Sequence, residues 1–301
     1  MMRQLRLTSS ILLTLCLGVL ASEAAADVKL PSIFSSHMVL QQGQNNRVWG
    51  TAEAGEKVTV KIGKQSHSAT AGKDGRWMVS LDALKTNSSP QTMTVSGKNT
   101  VTYEDILVGE VWICSGQSNM AFAVASANDP DLQIATANYP KIRLISVPQV
   151  GTQEPQSDFK GEWSVCSPQT VGSFSAAGYF FGRQLHQTLG VPIGLIDNAW
   201  GGSACEAWIN RDLMTKDSRY DELMARWVET EKTFDFEKLQ AAYLVKVKAW
   251  QEKSAAARKA GKPVPNRPRG PRNLLAGQHR PGNLYNGVLK PIIGYGIKGA
   301  I

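Results

Sequence analysis

The stretch Ile106-Leu-Val-Gly-Glu-Val-Trp-Ile-Cys-Ser-Gly-Gln-Ser-Asn-Met120 sets the architecture. Its first part, Ile106–Ile113, is almost continuously apolar, as in a strand buried on both faces of a parallel sheet. The run ends in a Gly-polar-Ser-Asn turn, and Ser118–Ala127 is expected to open a helix. Ligands of α/β sheets bind at the carboxyl ends of strands, so this turn is a candidate site. Gly116 lets the backbone turn tightly. Free N–H groups beside a Ser at a helix start can stabilise an oxyanion. From spacing alone Ser118 stays open between a nucleophile and a helix cap. The pattern G-x-S-x-G is not met, because Met120 replaces the last Gly.

Further along, Lys141–Val147 and Ile193–Asn198 read as strands. Between them Phe174–Leu189 has apolar residues near helical spacing, stopped by Gly190 and Pro192. Strand, helix, strand, helix, strand implies a parallel sheet with helices on its faces. The stretch Ile196-Asp-Asn-Ala-Trp-Gly-Gly-Ser203 again ends a buried strand in a polar turn. Gly201 and Gly202 place N–H groups where side chains would clash, although an ordinary strand-to-helix turn fits equally well. Residues 212–262 are polar and helix-prone, expected as an amphipathic helical pair or insertion. A Pro/Arg-rich loop, Pro263–Pro271, follows. Asn283–Leu289 reads as a helix and Ile297–Ile301 as the first half of another strand.

Before Ile106 the pattern is different. Val58–Ile62 alternates apolar and polar residues, Arg76–Leu81 follows the turn Lys73-Asp-Gly75, and Thr92–Ser96 follows Pro90. Short strands joined by such turns suggest a small β-sandwich over 27–107, structural or substrate-adjacent in role. The expected organisation is therefore residues 27–107 as sandwich and 108–301 as the α/β domain, with a helical and basic insertion at about 212–280.

Residues 1–26 have the order of a secretory signal peptide: Arg3 and Arg6, the apolar run Ile11–Leu20, then small residues to Ala26. Ala24 and Ala26 fit an A-x-A cleavage site, so a secreted or periplasmic protein is expected. The apolar run is too short for a membrane span, and no stretch of about 20 apolar residues follows, so no stable membrane insertion is expected.

The 301 residues include 33 Lys+Arg and 25 Asp+Glu, a formal charge of +8. Loss of residues 1–26 removes two Arg and one Glu and leaves +7. Residues 253–280 alone carry eight cations and no acid, so the remainder is close to neutral. The surplus is one solvated loop rather than a nucleic-acid surface, and no nucleic-acid partner is expected. Cys114, Cys166 and Cys205 lack metal-ligand spacing, and their odd count leaves at least one unpaired within the chain. Small buried thiols are expected. No metal, nucleotide or flavin motif is visible, so no cofactor is expected.

Taken together, several blocks resemble the sialate O-acetylesterase family of SGNH-type (GDSL-like) esterases. They are Leu30-Pro-Ser-Ile-Phe-Ser-Ser-His-Met-Val-Leu-Gln41, Gly50-Thr-Ala-Glu-Ala-Gly-Glu56, Gly109–Met120, Phe174–Gly182, Val191–Ile196, Trp200-Gly-Gly-Ser203 and Leu284-Tyr-Asn-Gly287. The resemblance covers nearly all of 27–301 in the family's order. It implies an SGNH-hydrolase-like α/β sheet, incomplete here, behind the sandwich. It also implies hydrolysis of O-acetyl esters of sialic acid or related sugars through an acyl-enzyme on Ser118. The oxyanion would be held by Ser118, Gly201 and Gly202, with Gln117 and Asn119 substrate-adjacent. The alternatives are an acetylxylan or other polysaccharide deacetylase, or a carbohydrate-binding relic.

The family's Trp-Tyr-Gln-Gly-Glu-Ser and Asp-x-x-His blocks are absent from the 301 residues. None of His37, His67, His186 and His279 matches a base motif, so no catalytic His/Asp pair is expected in this chain. The expectation is an N-terminal portion of a longer enzyme, nearly inactive by itself, because a Ser hydroxyl without a base is a weak nucleophile.

Overall fold

In the computed structural model, which describes residues 27–301, the alternating segments near the N-terminus become strands whose inward side chains are apolar. They are β1 (Val39–Gln41), β2 (Asn46–Thr51), β3 (Lys57–Ile62), β4 (Gln65–Thr70), β5 (Arg76–Leu81) and β6 (Asn87–Ser96). Strand β7 (Thr100–Cys114) follows. Val58, Val60 and Ile62 of β3 face Trp77, Val79 and Leu81 of β5 across one core. β2 and β5 form their own antiparallel pair, and β4-β3-β6-β7 the opposing layer. The expected signal peptide lies outside the described residues.

β7 does not stop at the sandwich. Residues Ile106–Val111 are buried without alternation, as their unbroken apolar run requires. This half pairs in parallel with β10 (Ile193–Asp197), β1 and β11 (Gly299–Ala300). β8 (Tyr139–Ser146) lies parallel to β10, and β9 (Ser164–Cys166) antiparallel to β8. The sheet is thus mixed rather than purely parallel, in the order β4-β3-β6-β7-β10-β8-β9. The helices are α1 (Pro130–Ala135), α2 (Ala176–Leu189), α3 (Arg211–Met214), α4 (Asp221–Thr233) and α5 (Phe236–Lys259).

Helix α2 starts where the Ser175 hydroxyl accepts the Gly178 N–H and ends at Gly190, whose left-handed backbone donates to the His186 carbonyl. Its contact with the sheet is set by small residues. A Cβ at Gly178 would lie 2.7 Å from the Cys114 sulfur, and one at Gly182 would lie 2.6 Å from the Leu195 side chain.

The helix expected over Ser118–Ala127 does not form. The Gln117 carbonyl accepts Met120 and Ala121 N–H, closing one turn. Val124 and Ala125 then donate to Phe174 and Gly172, so the chain spends its donors on the neighbouring loop. Asn283–Leu289 contains a π-helical turn, Tyr285–Leu289, rather than an α-helix. The helical pair expected after residue 212 is present as α4 and α5. Among the described residues, no helix is long and apolar enough to cross a membrane.

Two long-range contacts lock the N-terminal segment onto this frame. The Tyr295 hydroxyl donates to the Val39 carbonyl at 2.8 Å, and its ring packs near Phe34 and Trp163. The Arg143 guanidinium, 4% exposed, donates twice to the Asp105 carboxylate, at 2.6 and 3.1 Å, and once to the His37 carbonyl.

The close approach of α2 to β7 gives a test. Gly178→Ala should cost about 1–3 kcal/mol of stability, because the added methyl overlaps the Cys114 sulfur. Combined with Cys114→Ala it should cost less than the two single changes summed, read from urea-denaturation midpoints.

Candidate active site

The turn after β7 and the turn after β10 are laced together. Asn198 N–H donates to the Cys114 carbonyl at 3.1 Å and Trp200 N–H to the Gly116 carbonyl at 3.0 Å. The ladder therefore continues past both strands. Gly116 adopts φ 131° and Gly202 φ 70°, which L side chains rarely adopt. A Cβ at Gly201 would meet the Ser118 Cα at 3.6 Å, so the second turn rests directly against the first.

The structure brings Gln117, Ser118, Gly201 and Gly202 together on this edge. The Ser118 hydroxyl donates to Gln117 Oε1 at 3.0 Å. Gly202 N–H donates to the same oxygen at 3.3 Å. Among the described residues, the N–H groups of Ser118 and Gly201 have no acceptor. Unspent donors beside an exposed hydroxyl suit a developing negative charge. Asn119 is exposed on the same turn and forms no hydrogen bond among the described residues.

Three features here were not legible in the sequence. His279, from the basic segment, folds back and donates from Nε2 to the Gly202 carbonyl at 2.7 Å. The helical insertion holds it there: Glu231 of α4 accepts Arg211 at 2.6 Å and Arg280 at 2.9 Å. Burial opposes ionisation of Glu231, but the two guanidinium donors hold its carboxyl below the usual range. The second feature is Asn198, 1% exposed, with neither amide atom paired among the described residues. The third is Asp197 at the end of β10. Its carboxylate accepts Ala199 N–H at 3.1 Å. Burial nevertheless pushes this carboxyl up to about 6, outweighing the N–H groups of Ala199 and Ser175.

The other histidines lie elsewhere. His37 pairs with Asp105, His67 with Gln65 and Asp82, and His186 with the Val191 carbonyl. Cys114 and Cys166 are buried thiols, as expected, whereas Cys205 is exposed. Among the described residues, no cluster of His, Cys, Asp and Glu could hold a metal ion. A cleft of about 980 Å³ opens between the N-terminal strands and the 155–158 and 290–293 segments, and contains none of the Ser118 turn. Ser118 stands on open surface.

Comparison with known proteins bears on this edge of the sheet. Residues 108–244 match the family model described as carbohydrate esterase, sialic acid-specific acetylesterase. The sialate O-acetylesterase of Rattus norvegicus is 32% identical over 221 residues, covering 67% of this chain and 41% of that protein. The human sialate O-acetylesterase is 34% identical over 206 residues, covering 62% and 39%. A carbohydrate acetylesterase of solved structure from Xanthomonas citri matches with a TM-score of 0.68 and 26% identity, over 91% of this chain and 50% of that one. The chain spans about two fifths of the length of the curated relatives it matches. The family resemblance and the esterase-type α/β fold are both borne out.

Asp197 makes stability depend on pH. Unfolded, it titrates near 3.8; folded, near 6. The favourable contribution is complete below pH 3.8 and is lost as pH rises to about 6, a change on the order of 3 kcal/mol. Asp197→Asn should therefore be more stable than the parent at pH 8, the gap closing toward pH 4 in urea melts.

Proposed function

We propose, from the match of residues 108–244 to the sialic acid-specific acetylesterase family model, that this protein is an exported carboxylic ester hydrolase acting on O-acetylated sugars. Sialic acid esters are the leading substrates. The observation that carries the reading is the exposed Ser118 hydroxyl beside the unspent N–H groups of Ser118 and Gly201, within that domain.

In this mechanism the Ser118 oxygen attacks the acetyl carbonyl and the C=O electrons move onto oxygen. The resulting oxyanion takes the N–H groups of Ser118 and Gly201, and that of Gly202 once Gln117 Oε1 gives way. Each such donor is worth on the order of 10²–10³ in rate. Collapse expels the sugar oxygen, which takes up the proton that Ser118 loses on attack, relayed by solvent water because no side chain here is placed to carry it. Water then releases acetate from the acyl-enzyme. The Ser118 proton points at a Gln117 amide oxygen, which is not a base. His279 is held at Nε2 by the Gly202 carbonyl. Attack from this arrangement is slow, and turnover rests on oxyanion stabilisation, which can retain about 10³–10⁴-fold over water.

The unassisted hydroxyl favours one second reading, a carbohydrate-binding relic of an esterase. A polysaccharide deacetylase shares the mechanism and differs only in the sugar.

Hydrolysis of 4-nitrophenyl acetate above the buffer rate, abolished in Ser118→Ala, is the expected outcome. Equal rates in parent and variant would leave the relic. Acetate release from O-acetylated sialic acid against acetylated xylan then separates the two substrate classes.

A further inference from the structure

The remote end of β7 carries a second constellation that the Ser118 chemistry does not use. His37 Nδ1–H donates to Asp105 Oδ2 at 2.6 Å, and Asp105 is gripped from behind by Arg143. Burial works against the Asp105 charge, but the Arg143 and His37 hydrogen bonds hold its carboxyl below the usual range. The imidazole is thereby fixed in orientation, with Nδ1 as donor and Nε2 unpaired among the described residues. A clamp serving stability alone has no need to leave the ring in water, yet the His37 side chain is 44% exposed. Both His37 (φ 70°) and Asp105 (φ 55°) hold left-handed backbone, uncommon outside glycine although His and Asp are among the residues that enter it most readily.

His37 opens into a cavity of about 600 Å³. Most hydroxyls around it are spent: Ser35 and Ser36 accept the Trp163 and Glu104 N–H groups, and Ser164 donates to the Leu144 carbonyl. Glu162 and Thr102 line the same cavity, and neither side chain has a hydrogen-bond partner among the described residues. Two unpaired acceptors, His37 Nε2 and the Glu162 carboxylate, thus share one cavity. That set matches adjacent hydroxyls of a sugar ring, which donate to a carboxylate and an imidazole together. The unneutralised Glu162 repels an anionic sugar. Nine residues of extended strand, about 30 Å, separate Asp105 from Cys114, so this place is distinct from the Ser118 turn.

We propose that the His37–Glu162 cavity is a second binding site, for a neutral pyranose unit of a glycan, independent of ester hydrolysis at Ser118.

The test uses the Ser118→Ala protein and follows the His37 Nε2 resonance by side-chain 15N NMR during titration with xylobiose. A saturable shift is expected, with N-acetylneuraminic acid producing none. Glu162→Gln should weaken xylobiose binding about tenfold or more, as loss of a charge-assisted hydrogen bond does. His37→Asn, which tolerates left-handed backbone, should abolish binding measured by calorimetry, with thermal melting confirming the fold. No saturable shift, or binding unchanged in Glu162→Gln, overturns the site. An equal response to N-acetylneuraminic acid overturns its assignment to neutral sugars. Since Ser118 is already removed, none of these outcomes depends on esterase activity.

Discussion

Everything in this molecule hangs on the continuity of β7. One 15-residue strand closes the sandwich with its first half and forms the spine of the parallel region with its second. Its side chains feed two cores: Ile106, Leu107 and Val111 enter one, and Cys114, with Trp112 beside it, the other. Register is therefore fixed from both faces, since a slip of one residue would exchange them. The position of the Ser118 hydroxyl inherits that rigidity. The strand ends at Cys114, the ladder runs on through Asn198 and Trp200, and Gly201 comes to rest on Ser118.

What the sequence made legible follows from this division. Ile106–Ile113 and Ile193–Asp197 read as buried strands because uninterrupted apolar runs have few other uses. Ser175 and Gly190 bracket α2 because capping chemistry is local. The helix expected after Ser118 failed because its competitor, the Phe174–Gly172 loop, is distant in sequence and offers carbonyls that no local pattern reveals. The turns carrying Ser118, Gly201 and Gly202 were readable from Gly placement and family blocks. His279 was not, since it reaches Gly202 across 77 residues, through a loop held by an ion cluster. Asp197 was hidden for a related reason: nothing in Ile-Asp-Asn-Ala states how dry the strand end is.

The basic segment illustrates how charge is misread from totals. Arg280 is not part of a solvated surface; it shares Glu231 with Arg211 and anchors the loop beside the candidate site. Arg267 lies over the Trp250 ring, whose indole N–H donates to the Pro265 carbonyl. The segment is thereby folded back upon α5, so part of its cationic surplus packs against the protein.

The Tyr295–Val39 hydrogen bond spans 256 residues. During synthesis Val39 emerges from the ribosome long before its partner exists. At roughly 5–20 residues per second, the nascent N-terminal layer waits on the order of 10–50 s for the ring that seals it. Over that interval Phe34 lacks the Tyr295 ring that packs near it, and Trp163 lacks it from its own synthesis onward. Such distant closure makes folding slow and the unfinished chain prone to association, so its yield in cells depends on chaperone protection as much as on final stability.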